Sequence, residues 1–322
     1  MNHTALQPHT TPGGALVPVA LLDAARTFAA EAKAPATRRA YTGAWRAFAA
    51  WTAAHGCAAL PASPETVALY LTHLAEAGRR VSSIDQALAA ITGAHRVAGF
   101  PSPRTSPVVQ EVARGIRRTV GVAPHQKAPV RVSELRAMLA AGVEGRIGRR
   151  DRALLLLGFA SALRRAELVA LTVADVVDGV DGLTVTVRRS KTDQAGEGRR
   201  IGIPFGSTPE TCPVRAVRAW LTEAGITEGP LFRSVTRHGG LGARLSGRAV
   251  ARIVQGHAAA VGLEAAQFGG HSLRAGFATA AAQAGKSERA IMAQTGHRSI
   301  NMVRRYIREG SLFTDNAAAG LL

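Results

Sequence analysis

Four groups of residues in the second half of the sequence are of types that bind an anion, move a proton or attack an electrophile. Arg164 and Glu167 stand three apart in Ala-Leu-Arg-Arg-Ala-Glu-Leu, and His271 and Arg274 stand three apart just after Gly269-Gly270. Guanidiniums stay protonated and grip oxyanions through a planar fork, while an imidazole exchanges protons near neutrality. Lys191 lies in a polar turn, where its ammonium could give up a proton if neighbouring cations lowered its pKa. Tyr306 shares a helical stripe with Ile300, Val303 and Ile307, and its phenol could serve as a nucleophile. Each group also has a plain structural explanation: an ion pair on a helix, a pair at a helix end, a solvated turn lysine, a core tyrosine.

Other chemistries find no support. Gly285-Lys286-Ser287 ends like a phosphate loop, but Ala280 occupies the place of the first glycine. Gly270-His271-Ser272-Leu273 begins like a hydrolase elbow, yet Arg274 stands where the closing glycine belongs. The ten histidines include no His-Glu-x-x-His and no Cys/His cluster, so no metal ligand set is visible. Cys57 and Cys212 make neither a disulfide framework nor a zinc site.

The elements that must position these residues read as two domains, as a length of 322 residues leads one to expect. Residues 1–20 carry Pro12, Gly13, Gly14 and Pro18 without periodicity and read as a flexible tail, with no secretory pattern. From 21 to 118 the patterning is helical. Tyr41, Ala44, Trp45, Phe48 and Trp51 form one stripe, Ser63-Pro64-Glu65 starts the next helix, and a third spans Ser82 to Ala98 and buries His95. Residues 119–130 lose the periodicity and read as a linker. The second domain, 131–322, opens with a helix capped at Ser133-Glu134-Leu135. It contains one hairpin, from Leu183-Thr-Val-Thr-Val and Ile201-Gly-Ile-Pro, and is otherwise helical, with a C-terminal tail from about 311. The fold class is therefore mainly α with a small antiparallel β-sheet.

Charge narrows the partner. Lys and Arg number 40 against 22 acidic residues, a net charge of +18, and both halves are basic: +7 through Lys127 and +11 after it. Such a surplus repels itself unless a polyanion neutralises it, and nucleic acid is the usual one. Hydrophobic residues at 47% exclude a disordered basic tail. No apolar run approaches the ~20 residues that span a bilayer, so no membrane role is expected and a cytoplasmic, nucleoid-associated location is. Lysine occurs only at 33, 127, 191 and 286, so a lysine kept in the hairpin turn stands out against the arginines.

The order of the reactive groups resembles the tyrosine recombinase (phage integrase) family. The matching segments are ALRRAEL, RRSKT, GHSLRAG and TGHRSINMVRRYI, which supply Arg164, Lys191, His271, Arg274, His297 and Tyr306. The resemblance runs from Thr37 to the C-terminus, and the first domain is similar to the family's helical, SAM-like core-binding domain. Within the family the pattern is closest to that of Cre, with His297 where Cre has tryptophan.

The resemblance implies that Tyr306 attacks a DNA phosphodiester and forms a covalent 3′-phosphotyrosine. Arg164 and Arg274 would stabilise the pentacovalent transition state, whose non-bridging oxygens gain negative charge. Lys191 would protonate the leaving 5′-oxygen, His271 would take the tyrosine proton, and His297 would hydrogen-bond the phosphate. Glu167 would orient an arginine or histidine. Nine residues of unbroken helix would set His297 and Tyr306 on opposite faces, so Gly296 and a cap at Ser299 are expected to place His297 in a turn before the helix of Tyr306. The phosphotyrosine keeps the energy of the broken bond and arginines carry the charge, so neither ATP nor metal is expected.

Expected partners are double-stranded DNA with inverted repeats and a homotetramer on two DNA sites, with strand exchange through a Holliday junction. The apolar tail (Leu312, Phe313, Ala317 to Ala319, Leu321, Leu322) could dock on a neighbouring subunit or on its own domain. Thr37, Arg38 and Arg39, and Ser82, Ser83 and Gln86, are expected to read DNA from the starts of two helices. Arg248 and Arg252 do so from the second domain, and Lys127 would cross the backbone from the linker. Rival readings are a type IB topoisomerase, disfavoured by the core-binding match, a telomere resolvase, and a DNA-binding protein that has lost catalysis, disfavoured by the complete set of six residues.

Overall fold

Proline at the first helical position starts three of the N-terminal helices, where its missing N–H costs nothing and its fixed φ suits the turn. The computed structural model describes residues 19–32, 34–122, 126–188 and 198–310. It divides into two compact units, split between His125 and Gln126. The first holds α1 (Val19–Glu31), α2 (Pro35–Ala54), α3 (Pro64–Glu76), α4 (Val81–Val97) and α5 (Pro107–Val120). Ser63 caps α3 by accepting from the Thr66 N–H at 3.2 Å. Phe48, Val67, Tyr70, Leu71, Ile84, Leu88, Ile91 and Val109 make its core. His95 is buried there with both ring nitrogens satisfied: Nε2 accepts from the Ala62 N–H at 2.9 Å, so Nδ1 carries the hydrogen and donates to the Ile91 carbonyl at 2.9 Å.

The second unit holds α6 (Val132–Ala140), α7 (Gly145–Ala160), α8 (Arg165–Ala170), β1 (Val176–Gly179), β2 (Gly182–Val187), β3 (Arg199–Pro204) and α9 (Pro213–Ala224). It continues with β4 (Arg233–Val235), β5 (Leu241–Arg244), α10 (Gly247–Ala260), α11 (Ser272–Gln283), α12 (Glu288–Thr295) and α13 (Ile300–Gly310). Fully buried Leu154, Leu155 and Leu157 make α7 the central helix, packed on α9 and α11. Trp220 of α9 is buried and donates to the Leu231 carbonyl at 2.8 Å. The sheet runs β1-β2-β3, all antiparallel, with Leu183 opposite Ile203 and Val185 opposite Ile201.

Three sequence expectations change. The strands β4 and β5 form a second small antiparallel pair in a stretch read as helical with a break at Arg237–Gly242; they are three and four residues long, too short for alternation to show. The strand β1 was not anticipated either, because only its pairing with β2 defines it. Ser133 lies inside α6, whose cap is Arg131: the Arg131 N–H donates to Glu134 Oε2 at 2.8 Å. Proximity of that carboxylate to the unpaired N–H groups, rather than a hydroxyl, fixes the helix start.

Candidate active site

Where α7 ends, Ala162 takes a left-handed φ of 50° and the chain turns into α8. Arg164 is the N-cap of α8, in extended conformation, rather than a residue within the helix as the sequence pattern suggested. Its backbone N–H donates to Glu167 Oε2 at 3.0 Å and its Nη1 to Oε1 at 2.6 Å. Glu167 is buried, so the carboxylate holds the arginine at both backbone and side chain. The ion pair that the spacing suggested is therefore present, and it fixes where the guanidinium sits.

Arg274, in the first turn of α11, is 1% exposed. Nη1 donates to the carbonyls of Ala162, at 2.8 Å, and Thr295. Nη2 bonds His297 Nε2 at 2.8 Å. His297 follows Gly296, which ends α12 with a left-handed φ of 68°, so the histidine sits in the turn before α13, as the spacing required. The Thr295 hydroxyl donates to the Ile291 carbonyl at 2.7 Å and lies 2.8 Å from His297 Nδ1. That hydroxyl must accept from the ring, so Nδ1 bears the hydrogen and Nε2 is the acceptor for Arg274. Desolvation, then the cations Arg274 and Arg164, His271 and Arg199, push the His297 pKa down to about 3. Desolvation and Arg164 lower that of Arg274 to about 10. The Arg274 Nε–H is buried with no partner among the described residues.

Tyr306 packs in a small cluster with Ala275, Ala278, Ile291 and Val303, the core role its stripe suggested. Its hydroxyl nevertheless lies 3.0 Å from His271 Nε2. His271 is the N-cap of α11. Although exposed by surface area, its pKa is lowered, by desolvation first and then by Arg274, Arg164 and Arg165. A neutral imidazole is the form that can accept the phenolic proton.

Arg199 escaped the sequence reading. From the first position of β3, its Nη1 donates to the carbonyls of Gln294 at 2.8 Å and Ala293 at 3.3 Å, and its Nη2 to Thr295 at 3.4 Å. Nη2 also lies 3.6 Å from Glu167 Oε2. The guanidinium thus joins the end of α12, where the carbonyls are unpaired and a cation is favourable, to the carboxylate that holds Arg164. Burial lowers its pKa, against the attraction of Glu167. One signal could have revealed it: strand alternation puts Arg199 in phase with buried Ile201 and Ile203.

The structure thus brings Arg164, Glu167, His271, Arg274, His297 and Tyr306 together and adds Arg199 and Thr295. Lys191 and the turn around it lie outside the described residues, as do 1–18 of the N-terminal tail, 123–125 of the linker and the C-terminal tail from 311. Of the expected DNA readers, Arg39, Ser82, Ser83 and Gln86 are exposed, and Thr37 and Arg38 half-buried, on α2 and α4, which pack together. Arg248 and Arg252 are exposed on α10 of the other unit. Lys127 is exposed in that unit too, its Nζ bonded to the Ala266 carbonyl. Among the described residues no group of three or more His, Cys, Asp or Glu side chains is placed to hold a metal. No described helix is long and apolar enough to cross a membrane.

Comparison with known proteins gives the arrangement its context. Residues 129–311 match the phage integrase family. Over 292 residues the chain is 39% identical to the integrase/recombinase xerD homolog of Selenomonas ruminantium, spanning 89% of this chain and 85% of that protein. It is 28% identical to recombinase cre of Escherichia phage P1 over 82% of this chain and 81% of that protein. The likeness to Cre in motif pattern is therefore joined by a XerD-like relative of higher identity. A lambda integrase dimer bound to a COC′ core site superposes with a TM-score of 0.59 at 17% identity, covering 90% of this chain and 95% of that one. XerH recombinase bound to a palindromic difH substrate superposes with a TM-score of 0.58 at 17% identity, covering 80% and 72%. At such identities these two structures speak for the fold.

Proposed function

This chain belongs to the phage integrase family of tyrosine recombinases, and from that membership we propose that it breaks and rejoins DNA at specific sites through Tyr306. The observation that carries the assignment is the Tyr306 hydroxyl 3.0 Å from His271 Nε2, on a site lined by Arg164 and buried Arg274. His271 takes the phenolic proton, the tyrosine oxygen bonds to phosphorus, and the bond from phosphorus to the 5′-oxygen breaks. Lys191 gives that oxygen its proton. Reversal by a 5′-hydroxyl of another strand frees the tyrosine, and the bond energy retained in the phosphotyrosine makes ATP unnecessary. Arg164 and Arg274 neutralise the growing charge on the non-bridging oxygens, the work a metal ion does elsewhere. The buried Nε–H of Arg274 supports this role, as a donor that an oxyanion can satisfy. In the free chain His297 holds Arg274 through Nε2; donating to the phosphate itself requires the hydrogen at that nitrogen.

The DNA partner is a duplex with inverted repeats, gripped by both units, with four copies meeting on two sites and exchanging strands through a Holliday junction. An apolar cavity of about 520 Å³, bounded by Phe159, Pro204, Phe205, Phe277, Ala281 and Ile291, suits the apolar tail from 311 of a neighbouring copy. The experiment for the reaction is a nicked suicide substrate carrying the target site. Wild type forms an SDS-resistant adduct without added metal, and Tyr306→Phe binds the DNA and forms none. An adduct with the phenylalanine variant overturns the nucleophile. Binding without any wild-type adduct would favour the DNA-binding reading instead.

A further inference from the structure

Two glycines precede His271, and neither has a positive φ, so backbone conformation demands neither; at Gly270 the need is for space. A Cβ on Gly270 would lie 3.0 Å from Cβ and 3.2 Å from Cδ of Arg165. A Cβ on Gly247, at the start of α10, would lie 3.7 Å from that same Cδ. The stem of Arg165 therefore passes between the start of α10 and the turn before His271, in close contact with Gly270. Beside it, a Cβ on Gly269 would meet Cγ of Lys127 at 3.8 Å. Gly269 and Gly270 thus form a bare floor against which two cationic side chains lie.

The two cations differ in what they do within the protein. Lys127 spends one donor on the Ala266 carbonyl. Arg165 is exposed and makes no hydrogen bond or ion pair among the described residues, whereas its neighbour Arg164 donates from Nη1 to Glu167. Holding a guanidinium stem on glycine while leaving its planar fork unpaired favours an external oxyanion that offers two oxygens, such as a phosphate. Arg165 follows Arg164 in the chain and flanks His271, while its stem also passes the helix start that carries Arg248.

We propose that Arg165, with Lys127 beside it on the Gly269-Gly270 floor, forms a second phosphate subsite that grips the DNA backbone phosphate next to the one attacked by Tyr306. The subsite rests on the recombinase reading of the site. Its role is to fix the strand so that the scissile phosphate meets Arg164 and Arg274; it carries no base information.

Salt dependence of binding tests the subsite in the full-length chain, with a fluorescently labelled duplex of mixed sequence as probe. Arg165→Gln keeps the stem and removes the charge. It should lower the slope of log affinity against log salt by about 0.9 and weaken binding roughly eightfold at ~0.1 M salt, the effect of one lost phosphate contact. Arg165→Lys, which keeps the charge, should retain the wild-type slope, so a fall seen equally in both variants means lost structure and overturns the proposal. An unchanged slope in Arg165→Gln overturns it too. Placement is tested with a suicide duplex, recovered by selection on the wild-type chain, that carries a neutral methylphosphonate beside the scissile phosphate. The neutral group should slow adduct formation by wild type and leave Arg165→Gln unaffected; equal slowing of both overturns the placement. Failure of wild type to form any adduct would instead strike at the recombinase reading, while the salt slope still reports on the subsite.

Discussion

Gly296 and Arg199 contend for one space, and the coupling between them follows from the geometry. A Cβ on Gly296 would lie 2.7 Å from both Cζ and Nε of Arg199, and the backbone there has a φ of +68°. Gly296→Ala therefore carries two costs. Left-handed backbone costs an L side chain about 1 kcal/mol. Displacing a guanidinium that holds the last carbonyls of α12 and faces Glu167 costs about 2 kcal/mol more. Arg199→Ala incurs only the second, about 2 kcal/mol. In the double variant nothing remains to displace, so the total should be about 3 kcal/mol instead of the ~5 expected of independent sites. At about 3 °C per kcal/mol for a unit of this size, the midpoint should fall by about 6 °C for Arg199→Ala and about 9 °C for both Gly296→Ala and the double variant. Thermal unfolding of the full chain, followed by far-UV circular dichroism, reads all three. A drop of about 15 °C in the double variant would mean that the two costs simply add, and the argument from shared space would fail.

Three further outcomes follow from the site. The folded protein keeps His271 and His297 neutral while the unfolded chain protonates both below about pH 6.5, so stability should decline as pH falls through that value. Adduct formation should hold down to the same point and decline only below it; a midpoint at or above about pH 6.5 would mean that burial and the surrounding guanidiniums do not lower His271. Thr295→Val removes the hydroxyl that fixes the His297 tautomer, and should cost about 1–3 kcal/mol in denaturant unfolding and slow cleavage while leaving DNA affinity unchanged. Ending the chain at Gly310 should leave single-turnover cleavage intact but abolish the four-copy assembly in analytical ultracentrifugation; an unchanged assembly would remove the tail from the interface.

The sequence by itself singled out which residues to expect at the site and roughly which elements carry them. Arg164, Lys191, His271, Arg274, His297 and Tyr306 were singled out by the resemblance of their ordered motifs to the family, and the long helices announced themselves by periodicity, down to the Ser63 cap and buried His95. Gly296 even located the turn that separates His297 from the helix of Tyr306. These are properties of short stretches, where neighbours along the chain are neighbours in space. The tertiary structure alone decided how the groups hold one another. Arg274 bonds a carbonyl 112 residues away, and Arg199 reaches one 95 residues away, so no local pattern could pair them. Short strands such as β4 exist only through their partners, and the Gly269-Gly270 floor has meaning only once Arg165 and Lys127 lie against it. Periodicity records which face of an element is buried, but it does not record what that face meets, and this site is built from such meetings.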